Sequence, residues 1–136
     1  MQFKHLFSPV RARDALTGEK GAVTLENVIT FSVIILVFGL GLHFGIQLHA
    51  NNIAHQAAQL ACNNARAFNS TAAAGTTIGE AIINGSNSPI EGGNVAVSRS
   101  ATIVTASVTG QTNSFVPGLV TSVEQVVTCP TERWVN

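Results

Sequence analysis

From Val28 to Leu48 the chain is apolar almost without interruption: 21 residues in which His43 is the one ionisable group and Gln47 stands near the end. About 20 such residues cross a bilayer as a helix. The helical pattern runs on past this stretch. Ala50, Ile53, Ala54, Ala57, Ala58, Leu60, Ala61, Ala65 and Ala67 recur at helical spacing as far as Phe68, with Asn51, Asn52, Gln56, Gln59, Asn63 and Asn64 between them. Alanine is the strongest helix former, and no proline falls within residues 22–68. The pattern predicts one helix of roughly 70 Å at about 1.5 Å per residue. Its first part, 22–48, would span a membrane and its second, 49–68, would stand outside as a stalk with a narrow face of small residues.

After Phe68 the texture changes. Asn69 to Gly75 reads as a break. Thr77-Ile78-Gly79-Glu80 offers a capping box for a helix of at most two turns, stopped by Asn84-Gly85. Ser86 to Asn94, with Pro89, Gly92 and Gly93, reads as a loop. Val95, Val97, Ile103, Val104 and Val108 then alternate with Ser and Thr through Thr109, predicting a strand over 95–109. Gly110 to Gly118 connects it to a second strand, 119–129, with Leu119, Thr121, Val123, Val127 and Cys129 on one face and Pro130 at its end. Two strands are marginal in water, so the outer half of the long helix is expected to cover them. The predicted class is α+β: a long N-terminal helix, then a small antiparallel hairpin packed on it within an exported domain, 69–136.

Charge orients this arrangement. Only 10% of the 136 residues are charged, while 46% are hydrophobic. Residues 1–21 hold Lys4, Arg11, Arg13 and Lys20 against Asp14 and Glu19; the remainder holds three arginines against five glutamates. Basic residues flank the cytoplasmic side of a span, so residues 1–21 are expected inside and everything beyond Leu48 outside, in a single pass. No basic patch follows the span, which argues against nucleic acid as a partner. The outer side permits disulfides. Cys62 and Cys129 are expected to form one, with two buried thiols as the alternative.

Catalysis needs convergent polar groups, and the pattern shows none, so the chain does not read as an enzyme. His43, His49 and His55 recur every six residues, which is not one helical face and not the i, i+4 spacing that suits a metal. The two cysteines lack further ligands for zinc. Neither a metal nor any other cofactor is implied. Asn69-Ser70-Thr71 and Asn84-Gly85-Ser86 match the glycosylation triplet, a pattern common by chance. Gly41-x-x-x-Gly45 lets another helix approach closely in a membrane.

The remaining chemistry sits at the start of the span. Glu26 enters an apolar helix, where a carboxylate costs a few kcal/mol unless it has a partner or a task. Gly21 lies five residues earlier, behind a basic leader that has no apolar stretch of its own. A secretory signal places its apolar region before the cut. Here the small residue comes first, so a cut between Gly21 and Ala22 would leave the span in the mature chain. The new Ala22 ammonium of one subunit could then meet Glu26 of another and fix the axial register of packed helices, each charge relieving the other's desolvation. A plain juxtamembrane glutamate favoured by the helix dipole is the simpler alternative.

These pieces together resemble a known family. The leader, Gly21, Glu26 and GAVTLENVITFSVIILVFGLG are similar to a type IV prepilin signal of class III type. AAQLACNNARAF, the Val/Thr-rich strands, FVPGL and TERW resemble the TadE-like pseudopilins of tight-adherence (Tad/Flp) pili, over most of residues 15–134. Two positions depart from the pattern. Flp pilins carry Tyr after the Glu where this chain has Asn27, and many type IV pilins begin with Phe or Met where this one would begin with Ala22. The resemblance implies a minor pilin-like subunit of a bacterial inner membrane, cleaved by a prepilin peptidase. Gly21 would precede the cut and Glu26 would be the assembly carboxylate. Other pilin-like subunits, the inner-membrane assembly platform and membrane lipid would be its partners, and a surface pilus its destination. A pseudopilin of a type II secretion or DNA-uptake machine, or a bitopic envelope protein with a ligand-binding exported domain, are the alternatives.

Overall fold

Alanines spaced three and four apart decide how this chain packs. A computed structural model describes residues 19–112 and 118–132, with side chains from Thr24 onward. Residues 1–18 of the leader expected over 1–21, the segment 113–117 within FVPGL and residues 133–136 at TERW lie outside the described residues. Helix α1 runs Glu19–Arg66, 48 residues without a break, and so begins slightly before the expected start at Ala22. The chain divides into two units, Met1–Phe38 and Gly39–Asn136.

Within the first unit, α1 is an apolar rod whose described side chains all stand exposed, including Leu25, Val28, Ile29, Phe31 and Phe38. Ser32 returns its hydroxyl to the carbonyl of Val28 at 2.8 Å, which satisfies it without a partner chain.

In the second unit, α1 buries one stripe: His43, Ala50, Ala54, Ala57, Ala58, Ala61, Cys62 and Ala65. This is the 3.6-residue period of a single helical face. The stretch expected as a stalk is therefore the centre of the core. Alanine serves there because what packs on it comes close. Helix α2, Ala72–Ile83, lays Gly75 over α1 so tightly that a Cβ on Gly75 would stand 2.5 Å from the carbonyl oxygen of Ala61 and 2.8 Å from Ala65 Cβ. Gly79 lies similarly between Val95 and Ala61.

Helix α2 corrects the expected two-turn helix at 77–85. It has 12 residues, and its N-cap is Thr71, whose Oγ1 accepts from the Ala74 N–H at 3.1 Å. Gly75 signalled a break from sequence, yet it sits inside the helix because the close crossing requires it. Thr76 and Thr77 donate their hydroxyls to Ala72 O and Ala73 O, at 3.1 and 3.0 Å, rather than capping anything. Asn84 stops the helix as expected, its N–H donating to Glu80 O at 2.9 Å. The turn from α1 into α2 needs a left-handed residue, and Asn69 supplies it at φ 62°.

Three strands follow, not two: β1 Ile90–Arg99, β2 Ile103–Thr112 and β3 Thr121–Pro130, an antiparallel meander in the order β1-β2-β3. The expected single strand over 95–109 is a hairpin. Its turn holds no Gly, Pro or Asn, so the usual signal is missing. Ser100 builds it instead, its N–H donating to Ile103 O at 2.8 Å and its Oγ accepting from Ile103 N–H at 3.0 Å. Likewise β1 begins at Ile90 inside the expected loop, and a bulge between Glu91 and Asn94 accommodates Gly92 at φ 59°.

The register sorts the two sheet faces. Val97 pairs Ala106, which pairs Val127; Val95 pairs Val108, which pairs Gln125; Val104 pairs Cys129. This face covers the helices, as expected for a sheet packed on the long helix. The other face carries Ser98, Thr105, Ser107, Thr109, Ser122, Glu124 and Thr128.

Three ties hold the C-terminal end of α1 to the sheet. Cys62 and Cys129 are joined in a disulfide, with Cα atoms 6.3 Å apart. Arg99 Nη1 donates to the carbonyls of Ala65, Ala67 (3.1 Å) and Ser70 (2.6 Å), placing a cation at the negative end of the helix dipole. Glu132 donates its N–H to Arg66 O at 3.1 Å and sets its carboxylate 3.8 Å from Arg66 Nε. The opposite end has a clamp at Gln47. Its Oε1 accepts from Thr112 Oγ1 at 2.9 Å, and its Nε2 reaches Ser122 O at 3.5 Å.

Candidate functional site

Glu26 lies in the third turn of α1, exposed, with exposed Leu25, Val28 and Ile29 around it. Among the described residues it has neither an ion-pair nor a hydrogen-bond partner. Among the described residues, the exposed surface near it on α1 is hydrocarbon or the neutral polar groups of Thr24, Asn27, Thr30 and Ser32. A carboxylate in that setting is ready to receive a cation from outside its own helix.

The Gly21–Ala22 bond lies in the first turn of α1. The first four N–H groups of a helix have no acceptor within it, so this turn is the least costly part to open. Ala22 and Glu26 are four residues apart, about 6 Å along the axis. The structure thus brings the two proposed charge-bearing positions within one helical turn.

Gly41 and Gly45 stand on α1 in the second unit, on the side away from its buried stripe. A Cβ on either would meet nothing within 4 Å. Among the described residues nothing packs against either glycine.

The histidines separate. His43 is buried at 8% exposure, its ring edge-on to Phe44 at 5.9 Å between centroids. His49 and His55 are exposed, and His55 Nε2 lies 2.8 Å from Gln59 Nε2. Among the described residues no group of three His, Cys, Asp or Glu side chains could hold a metal ion. The outer sheet face has a hollow of about 550 Å3 at the β1 bulge, lined by Glu91, Gly92, Thr109, Gly110, Gln111 and Ser122. Glu91 is the ionisable group among them, and no nucleophile–base pair is assembled there.

Two structural residues escaped the sequence reading. Arg99 entered the sequence reading only as one of the three arginines beyond the leader, inside the strand expected over 95–109. Gln47 read as a polar residue at the end of a span, although a lone amide in an apolar run always needs hydrogen-bond partners and so pointed to a clamp. No protein-family model, curated protein or solved structure matches this chain.

Proposed function

We propose that the chain is a minor pilin-like subunit, cut between Gly21 and Ala22 by a prepilin peptidase and used as a helper or initiator in assembling a Tad/Flp-type adhesive fibre. The observation that carries this reading is Glu26: an exposed carboxylate in the apolar first unit of α1, one turn from Ala22, with no partner among the described residues.

Cutting before Ala22 creates an ammonium at a helix N-terminus, where the dipole is already positive. That charge is unfavourable there until a carboxylate reaches it. Glu26 of a neighbouring subunit supplies one, and pairing the two holds the helices at one axial offset. Removing one partner of a desolvated pair costs about 3–5 kcal/mol, enough to prevent assembly at any ordinary subunit concentration. The apolar face from Thr24 to Leu48 gives the helices both a membrane in which to wait and a surface on which to pack, with Gly41 and Gly45 allowing close approach. The disulfide-closed head is then the part displayed outside.

Glu26→Ala and Glu26→Gln test this directly. Both variants should be cleaved as the wild type is and yet be missing from sheared surface fibres, with the chain accumulating in the membrane. Normal fibres containing either variant would remove the pairing role.

A further inference from the structure

We propose that the turn entering β3 rests in the lipid headgroup region, with Leu119 and Val120 inserted at the outer surface of the bilayer that α1 crosses. This rests on reading α1 as a membrane span.

The inference comes from levels within the second unit. The exposed side of α1 is apolar through Phe44 and Leu48 and becomes polar from His49 onward, with Asn52, His55, Gln56, Gln59 and Asn63. That switch marks the height at which hydrocarbon would give way to water. Gln47, two residues or about 3 Å below the switch, is bonded to Thr112 and Ser122, which pins that end of the sheet to the same height.

Strand β3 runs alongside α1 in the same direction. Seven strand residues from Ser122 to Cys129 rise about 23 Å at roughly 3.3 Å each. Fifteen helix residues from Gln47 to Cys62 rise about 23 Å at roughly 1.5 Å each. Residues before Ser122 therefore continue downward. Thr121, where β3 begins, lies about 3 Å below Ser122 by the same strand rise, and Val120 precedes it, beneath the polar switch.

These lowest described residues are apolar and uncovered. Leu119 is 45% exposed and Val120 67% exposed. Gly118, at φ 86°, turns the chain immediately before them. The rest of the exposed outer sheet face is mostly Ser, Thr and Glu. Val126 and Ile103 are exposed higher on the same face, at 55% and 49%, but as single residues; Leu119 and Val120 are adjacent and stand at the height where an apolar solvent adjoins them. The occupant that fits is lipid. Together with Gln47 this contact would set how high the head stands above the membrane.

The test uses the full chain in phosphatidylcholine vesicles whose acyl chains carry bromine near the headgroup, which quenches a nearby indole. Trp134 is the chain's single tryptophan and is replaced by Phe. One Trp is then placed at Val120, at Thr128 on the exposed outer face, or at Phe38 within the span. Phe38 lies ten helix residues, about 15 Å, below Leu48, so it is read in a second vesicle brominated near the acyl-chain ends. Quenching should be strong there for Phe38→Trp and strong with the headgroup-side bromine for Val120→Trp, and several-fold weaker for Thr128→Trp in both. Phe38→Trp quenched with Val120→Trp no more quenched than Thr128→Trp would overturn the lipid contact and leave the span intact; a neighbouring copy covering the turn would give this result. Phe38→Trp unquenched would remove the span and the contact with it. Should the Trp134 replacement disturb folding, the unaltered chain can be labelled with a phospholipid bearing a photoactivatable diazirine beside its headgroup. Label on Leu119 or Val120 and none on Ser122–Thr128 supports the contact, and a label-free turn contradicts it.

Discussion

Replacing Gly75 by alanine sets two opposing effects against each other, and the structure decides the sign. In a helix interior alanine is favoured over glycine by up to about 1 kcal/mol, so an uncrowded site would gain stability. Gly75 is crowded: its new methyl would lie 2.5 Å from the carbonyl oxygen of Ala61 and 2.8 Å from Ala65 Cβ. One obstacle is α1 backbone, the Ala61 carbonyl, which cannot rotate away as a side chain can. Helix α2 must shift, loosening Gly79 and Ile83 from the core. Overpacking of this kind costs about 1–3 kcal/mol, and an unyielding neighbour puts it in the upper part of that range. The expected net loss is about 1–2 kcal/mol, or roughly 5–10 °C in Tm for a domain near 100 residues. Far-UV circular dichroism melts of the detergent-solubilised chain, disulfide intact, would measure it. Two comparators calibrate the argument. At Gly79 the nearest atoms are side-chain methyls, Val95 Cγ1 at 2.7 Å and Ala61 Cβ at 3.3 Å, so Gly79→Ala should lose less. At Gly41 nothing lies within 4 Å, so Gly41→Ala should melt at or above the wild-type temperature. A Gly75→Ala chain as stable as the wild type would refute the close helix crossing.

Other outcomes follow from the ties around this core. The disulfide closes 67 residues, a loop whose chain entropy is valued at about 4 kcal/mol; Cys62→Ser with Cys129→Ser should lower the urea midpoint by a corresponding amount, and equal gel mobility with and without reductant would contradict the bridge. Arg99→Met removes charge-assisted bonds from the Ala65, Ala67 and Ser70 carbonyls and should cost about 2–3 kcal/mol in the same titration, with Arg99→Lys recovering part of it. Gln47→Leu preserves volume but breaks the clamp on Thr112 and Ser122; amide exchange should rise at that end of β2 and β3 and stay unchanged around Cys129. Gly41→Leu with Gly45→Leu should leave the monomer's melting unchanged while weakening helix association, read by cross-linking in membranes.

What could be read from the sequence was whatever has a period. The 3.6-residue alanine spacing gave the long helix, and the two-residue alternation in β3 put Val123, Val127 and Cys129 on one face, hence the bridge to Cys62. Failures cluster where a side chain replaced the usual punctuation. Ser100 makes a hairpin turn without glycine or proline, so β1 and β2 read as one strand. The inward residues do change parity there, from Val95 and Val97 to Val104, Ala106 and Val108, and that phase shift was the available clue. Gly75 read as a breaker because its use, contact with α1, belongs to tertiary structure. Arg99 gave no sign at all, since the carbonyls it binds lie 29 to 34 residues earlier. For the candidate site the balance differs. Glu26 stands out in sequence by its cost in hydrocarbon, and the structure adds that no partner for it lies among the described residues.

The most direct measurement for the central claim is the intact mass of the protein extracted from the membrane of its native cell. The account predicts a chain that begins at Ala22, lacks residues 1–21 and keeps Glu26 and the whole apolar run. A functional molecule that still carries Met1 to Gly21 would contradict it.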